Sequence, residues 1–247
     1  MSKGYSHGLT QTLLKHSERF AQRIWILDNS GSMRLGDGRS IVETTDGRIE
    51  EIPVSRWDEL QHTALHHAEM AATLGMKTHF RLLNYPGERI GVQEFTICEQ
   101  EGNTEQELRQ AHNILQRTKP AGVTPLTDHI LSIQESIRLF KPELTTNDQL
   151  VSLVIATDGI PTDPSGQETE QAKHDFLESL KLMEDLPVWI VVRLCTKDEK
   201  VVEFYNELDS QLEISLEVSA ERCKDIPSSS VLFCLPYKCT TIILHRC

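Results

Sequence analysis

The stretch Leu150-Val151-Ser152-Leu153-Val154-Ile155-Ala156 constrains the fold more than any other part of the chain. One polar residue interrupts it, so neither face of a strand built from it is suited to water. That is the pattern of a central strand in a parallel sheet, covered by helices on both sides. Ile24–Leu27 and Val188–Leu194 read the same way. Thr78–Tyr85 is a further strand, Arg89–Thr96 its candidate partner, and Gln211–Val218 an edge strand. Between these runs the apolar spacing turns helical. Trp57, Leu60, Ala64, Leu65, Ala68, Ala71 and Leu74 share a face over Arg56–Leu74, and Gly75 stops the helix. Thr104–Arg117 is amphipathic, with Thr104 and Glu107 at capping-box spacing. A helix follows Leu126 and runs to about Phe140, where Pro142 helps to end it. Two more cover roughly Gln167–Glu184 and Lys197–Leu208. Strands alternating with helices imply an α/β fold: a Rossmann-like, mostly parallel central sheet in three α/β/α layers.

The domain spans residues 23–218, preceded by a helical extension over 1–22 in which Leu9–Ala21 carries the helical pattern. Within it, 34–53 is a polar insertion between the first strand and its helix. Asp46-Gly47, lying between Val42 and Ile49, signals a hairpin there. Residues 219–247 differ in composition. They hold Cys223, Cys234, Cys239 and Cys247, four of the six cysteines, at gaps that fit no familiar zinc knuckle. This Cys-rich tail reads as a poorly ordered extension.

A net charge of −12 over 247 residues argues against nucleic acid or an anionic membrane as the main partner, since phosphate binding needs a basic face. No apolar run approaches the roughly 20 residues needed to span a bilayer. Met1–Gly8 lacks the apolar core of a signal peptide, and only Cys98 and Cys195 lie before residue 223. A reducing, cytoplasmic setting is expected.

The chemistry gathers in three loops. Asp28-Asn29-Ser30-Gly31-Ser32 follows the first strand and offers one carboxylate and two hydroxyls. Oxygen donors without sulfur or imidazole favour Mg²⁺, Mn²⁺ or Ca²⁺. Taken alone the motif is also ordinary turn chemistry. Thr124, in Gly-Val-Thr-Pro-Leu, precedes a helix, and Asp158, in Ala-Thr-Asp-Gly, ends the most apolar strand. In open α/β sheets, ligands bind beyond the carboxyl ends of the strands where the strand order reverses. If the loops converge there, five side-chain oxygens leave room for one outside ligand on a six-coordinate cation.

In these three elements the chain resembles a von Willebrand factor A domain, similar to the inserted domains of integrins. That family's metal-ion-dependent adhesion site combines Asp-x-Ser-x-Ser, a distant Thr and an Asp after a later strand, matched here by Asp28, Ser30, Ser32, Thr124 and Asp158. The resemblance implies that Ser30, Ser32 and Thr124 touch the cation, while Asp28 and Asp158 act mainly through waters and by orienting the hydroxyls. It implies a protein-binding module that takes an Asp or Glu side chain of a partner, without catalysis. The alternative is a Mg²⁺-dependent phosphoester or ester hydrolase, for which a nucleophile–base pair is missing; the nearest histidine is His129. Asp128 and Asp163 read as capping or first-turn acids, and Trp57 as a core anchor. His62, His66 and His67 read as a helix face in preference to a zinc site.

Overall fold

The computed structural model describes residues 19–43, 48–212, 215–219 and 240–245. Nine strands and five α-helices lie among them. The strands are β1 (Phe20–Leu27), β2 (Gly38–Glu43), β3 (Ile49–Val54), β4 (Thr78–Leu82), β5 (Glu94–Ile97), β6 (Leu150–Thr157), β7 (Val188–Leu194), β8 (Ser215–Ser219) and β9 (Thr240–His245). The helices are α1 (Arg56–Leu74), α2 (Thr104–Arg117), α3 (Leu126–Thr146), α4 (Glu170–Lys181) and α5 (Glu199–Gln211).

Seven strands form one sheet in the order β5-β4-β1-β6-β7-β9-β8. β4, β1, β6 and β7 are parallel, and β5, β9 and β8 join antiparallel. Alternation along each central strand decides which layer a side chain enters. Ile24, Ile26, Leu153, Ile155, Ile190 and Val192 pack under α3, α4 and α5. Trp25, Leu27, Val154, Ala156 and Val191 point the other way, against α1 and α2. The result is a three-layer α/β/α fold with a mostly parallel central sheet. Trp57 is buried in the α1 layer, as a core anchor should be.

Several elements differ from their sequence signals. α3 continues through Pro142 to Thr146, because the last turn carries Leu144 into the core. At α2 the Thr104 capping box does not form: Asn103 is the N-cap, and Glu107 instead accepts from the backbone N–H groups of Cys98 and Gln100. The capping box belongs to α1, where Ser55 and Asp58 cap each other's backbone. Of the segment 89–96, only the end pairs, as β5, because Gly87–Gly91 turns back on itself.

The insertion forms the antiparallel hairpin β2–β3 with Glu43 opposite Ile49; its Asp46-Gly47 tip lies outside the described residues. Backbone pairing reaches into the segment set apart by composition, since β9 sits between β7 and β8. Cys223, Cys234, Cys239 and Cys247, and the helical signal before Arg19, lie outside the described residues. The end of that signal, Phe20 and Ala21, is not helical but opens β1, pairing beside β6. No described helix is long and apolar enough to cross a membrane.

Candidate metal centre at the strand switch point

From β1 the chain moves outward to β4 and β5, then returns to the other side of β1 as β6 and β7. The order therefore reverses between β1 and β6, which is where a parallel sheet opens a crevice at its carboxyl end. Register sets what meets there. Leu27 lies opposite Ala156, so Asp28 and Thr157-Asp158 emerge side by side, and the Asp28 N–H donates to Ala156 O at 2.9 Å.

A chain of short contacts links the first and third loops. Ser32 Oγ donates to Asp158 Oδ1 at 2.7 Å, and the Ser30 and Ser32 hydroxyls are 3.0 Å apart. Asp28 is fully buried. Its Oδ1 accepts from the Ser30 N–H at 2.8 Å and its Oδ2 from Thr157 Oγ1 at 2.6 Å. Burial, then the neighbouring Asp158 charge, push the Asp28 carboxyl up to about 6, against the lowering effect of the Thr157 and Ser30 bonds. Two buried carboxylates side by side repel, so nearby positive charge is favoured electrostatically, and Arg56 Nη1, 2.8 Å from Asp158 Oδ2, already supplies one.

The second loop is held against the first by backbone. Gly31 N–H donates to Gly122 O at 3.2 Å, and Ala121 N–H to Asn29 O at 2.7 Å. Asn29 and Asn84 complete the join. Asn29 pairs through its amide with the backbone N–H and C=O of Asn84, and the Asn84 amide does the same for Val123. Gly122 sits at φ +94°, and a Cβ there would collide with Asn84 Oδ1, so only glycine lets this loop close. Thr124 is buried, with its Oγ1 3.6 Å from where a Cβ on Gly159 would sit. Its N–H donates to Thr162 Oγ1. Asp28, Ser30, Ser32, Thr124 and Asp158 thus come together at one rim, on three loops.

Carboxylate and hydroxyl oxygens of this kind suit a hard cation such as Mg²⁺. Among the described residues no three His, Cys, Asp or Glu side chains cluster as a ligand set, and the cluster of two carboxylates and three hydroxyls is not of that type. The histidines of α1 serve elsewhere. His67 packs on Trp25 with ring centroids 4.5 Å apart, and His62 Nδ1 lies 3.3 Å from Ser40 Oγ. Asp163 organises its own turn, accepting from Ser165 and Gln167, while Asp128 stands exposed in the first turn of α3. His129 Nε2 lies 3.1 Å from Leu83 O.

Four residues that the sequence left unmarked shape the site. Thr157 holds Asp28. Asn84 ties the loops. Tyr205 Oη donates to Gly159 O at 3.1 Å from α5, its hydroxyl pushed well above its ordinary pKa by burial and then by the Asp28 and Asp158 charges. Arg56 donates through Nη1 to Asp158 Oδ2 at 2.8 Å. Thr157 stood in the Ala-Thr-Asp-Gly motif, but nothing local distinguishes Asn84 or Arg56 from surface residues.

No family model matches the chain, and no curated protein matches it. Among solved structures it is similar to the pilus adhesin SpaC from Lactobacillus rhamnosus GG in an open conformation, at 11% identity and a TM-score of 0.48. The match takes in 92% of this chain and 37% of that one.

Proposed function

We propose that this chain is a metal-dependent protein-binding domain of von Willebrand factor A type. In this reading a divalent cation, Mg²⁺ or else Mn²⁺ or Ca²⁺, is held by Ser30, Ser32 and Thr124, with Asp28 and Asp158 orienting the hydroxyls. The supporting observation is the run of contacts Ser30–Ser32–Asp158 at the switch point, with buried Asp28 and Thr124 beside it. When bound, the cation supplies a Lewis-acidic position for an anionic oxygen from outside. The chain's own residues do the rest. Neutral hydroxyls leave a cation's charge poorly quenched, so the site favours an added carboxylate, such as an Asp or Glu side chain of a partner protein. Asp28 is held from both sides, by Thr157 and by the Ser30 N–H, so its oxygens keep a fixed direction.

The decisive experiment is affinity capture from lysate with immobilised wild type and Asp28→Ala, each in Mg²⁺ and in EDTA. The expected result is a bound protein seen with wild type in Mg²⁺ and lost in the other three arms, with Asp28→Ala remaining folded by circular dichroism. Equal capture in EDTA, or Mg²⁺-dependent hydrolysis of a generic phosphoester that Asp28→Ala abolishes, would reject the reading.

A further inference from the structure

Arg56 stands where three parts of the molecule meet: the polar insertion, the start of α1 and the cation-type cluster. Its backbone N–H donates to Leu35 O at 2.9 Å. Its guanidinium divides between two carboxylates. Nε and Nη2 grip Asp37 side-on, at 2.7 and 2.6 Å, and Nη1 reaches Asp158 at 2.8 Å. The two acids are unlike: the Asp158 side chain is fully buried, whereas that of Asp37, next to the first residue of β2, is 56% exposed. The hairpin is also tied to α1 by backbone. The Arg39 N–H donates to Glu59 Oε2 at 2.8 Å, and Gly38 lies so close to Ser55 that a Cβ would stand 2.7 Å from its carbonyl oxygen.

We propose that Arg56 is a positioning residue that sets how tightly the cluster holds a divalent cation, and that it couples the cluster to the β2–β3 hairpin through Asp37. The proposal rests on reading the cluster as a cation site. A buried carboxylate needs a counter-charge, and Arg56 supplies one to Asp158. The guanidinium stays charged, held more firmly protonated by its bonds to Asp37 and then Asp158. A divalent cation beside Ser32 and Asp158 therefore meets a fixed positive charge competing for the same carboxylate. The strain is relieved by Arg56 loosening its bond to Asp158 while keeping the two-bond grip on Asp37. Cation uptake thus tightens the hairpin root. By linkage, the factor by which the cation favours the firm hairpin root equals the factor by which the firm root raises cation affinity.

The two ends of this ion chain give opposite signs, which a purely structural role does not. Mg²⁺ titration calorimetry of the full chain is expected to show Arg56→Met binding at least threefold more tightly than wild type. Asp37→Asn is expected to bind at least threefold more weakly, because Arg56 then rests on Asp158 alone. Hydrogen exchange of amides 38–43, 49–52 and 54 is expected to slow severalfold on adding Mg²⁺ to wild type, and to be unmoved in Asp37→Asn. Equal or weaker binding by a folded Arg56→Met overturns the proposal while leaving the cation site standing. Should Arg56→Met fail to fold, unchanged affinity in Asp37→Asn overturns it instead. A wild type that takes up no Mg²⁺ removes the cation-site reading and this proposal together.

Discussion

At the residue scale, the buried charges and near-charges of this chain are assigned by contacts the local sequence does not display. His67 lies in the core against Trp25, and burial, with Arg193, His66 and Arg23 nearby, lowers its pKa to about 3. Below the ordinary value of 6.5 the unfolded chain takes up a proton that the folded chain refuses. His67 therefore contributes stability that is present above pH 6.5 and lost as pH falls toward 3, at a limiting slope of about 1.4 kcal/mol per pH unit. His67→Phe keeps a ring against Trp25 and removes the proton. Urea midpoints at pH 7.5, 6 and 4.5 are expected to fall less steeply with acid in the variant; parallel curves would show that His67 is not the titrating group. Its neighbour on α1, His66, is only partly buried, although the two are adjacent in sequence. Likewise Asn84, in the loop after β4, carries no motif, yet its amide fixes the Thr124 loop through Val123, 39 positions away.

At the element scale, α3 shows how packing overrules a local signal. Proline lacks the N–H that would bond back one turn, and an isolated helix would end before it. Here the segment after Pro142 stays helical, Thr146 Oγ1 donates to Pro142 O, and Leu144 is buried in the same core cluster as Val151 and Leu186. Leu144→Ala is expected to destabilise the domain by about 2–5 kcal/mol. Denaturation of a folded variant within about 0.5 kcal/mol of wild type would show that the last turn is not anchored by this side chain. The capping box tells a related story. Glu107 stands at the right spacing from Thr104, but its two oxygens accept from the backbone N–H groups of Cys98 and Gln100, so the acid secures the loop before the helix. Where the signal was periodic and long, as in α1, the element matched it from Arg56 to Leu74, with Gly75 at φ +66° closing it.

At the scale of the whole molecule, a ligand that binds only the folded chain stabilises all of it. If the switch-point cluster takes up Mg²⁺, free cation at 100 times its Kd adds about 2.7 kcal/mol. For a chain of this size that is a rise in Tm of roughly 5–10 °C. Differential scanning calorimetry is expected to show this rise for wild type and none for Asp158→Ala; equal shifts in both would point to cation binding elsewhere. The alternation of buried strands with amphipathic helices was enough to specify the α/β class, because a strand apolar on both faces has to be covered on both. The three loops were legible too, since each directly follows a strand or precedes a helix. The strand order was not legible, and the order is what brings Asp28 beside Asp158, 130 positions apart, through the parallel pairing of β1 with β6. Nor could the sequence reveal that Arg56 joins Asp37 to Asp158, or that β9 enters the sheet between β7 and β8. Local sequence settles what a segment can become, because propensity and periodicity act over a few residues. Only long-range packing and pairing settle which segments, and which charges, come to lie side by side.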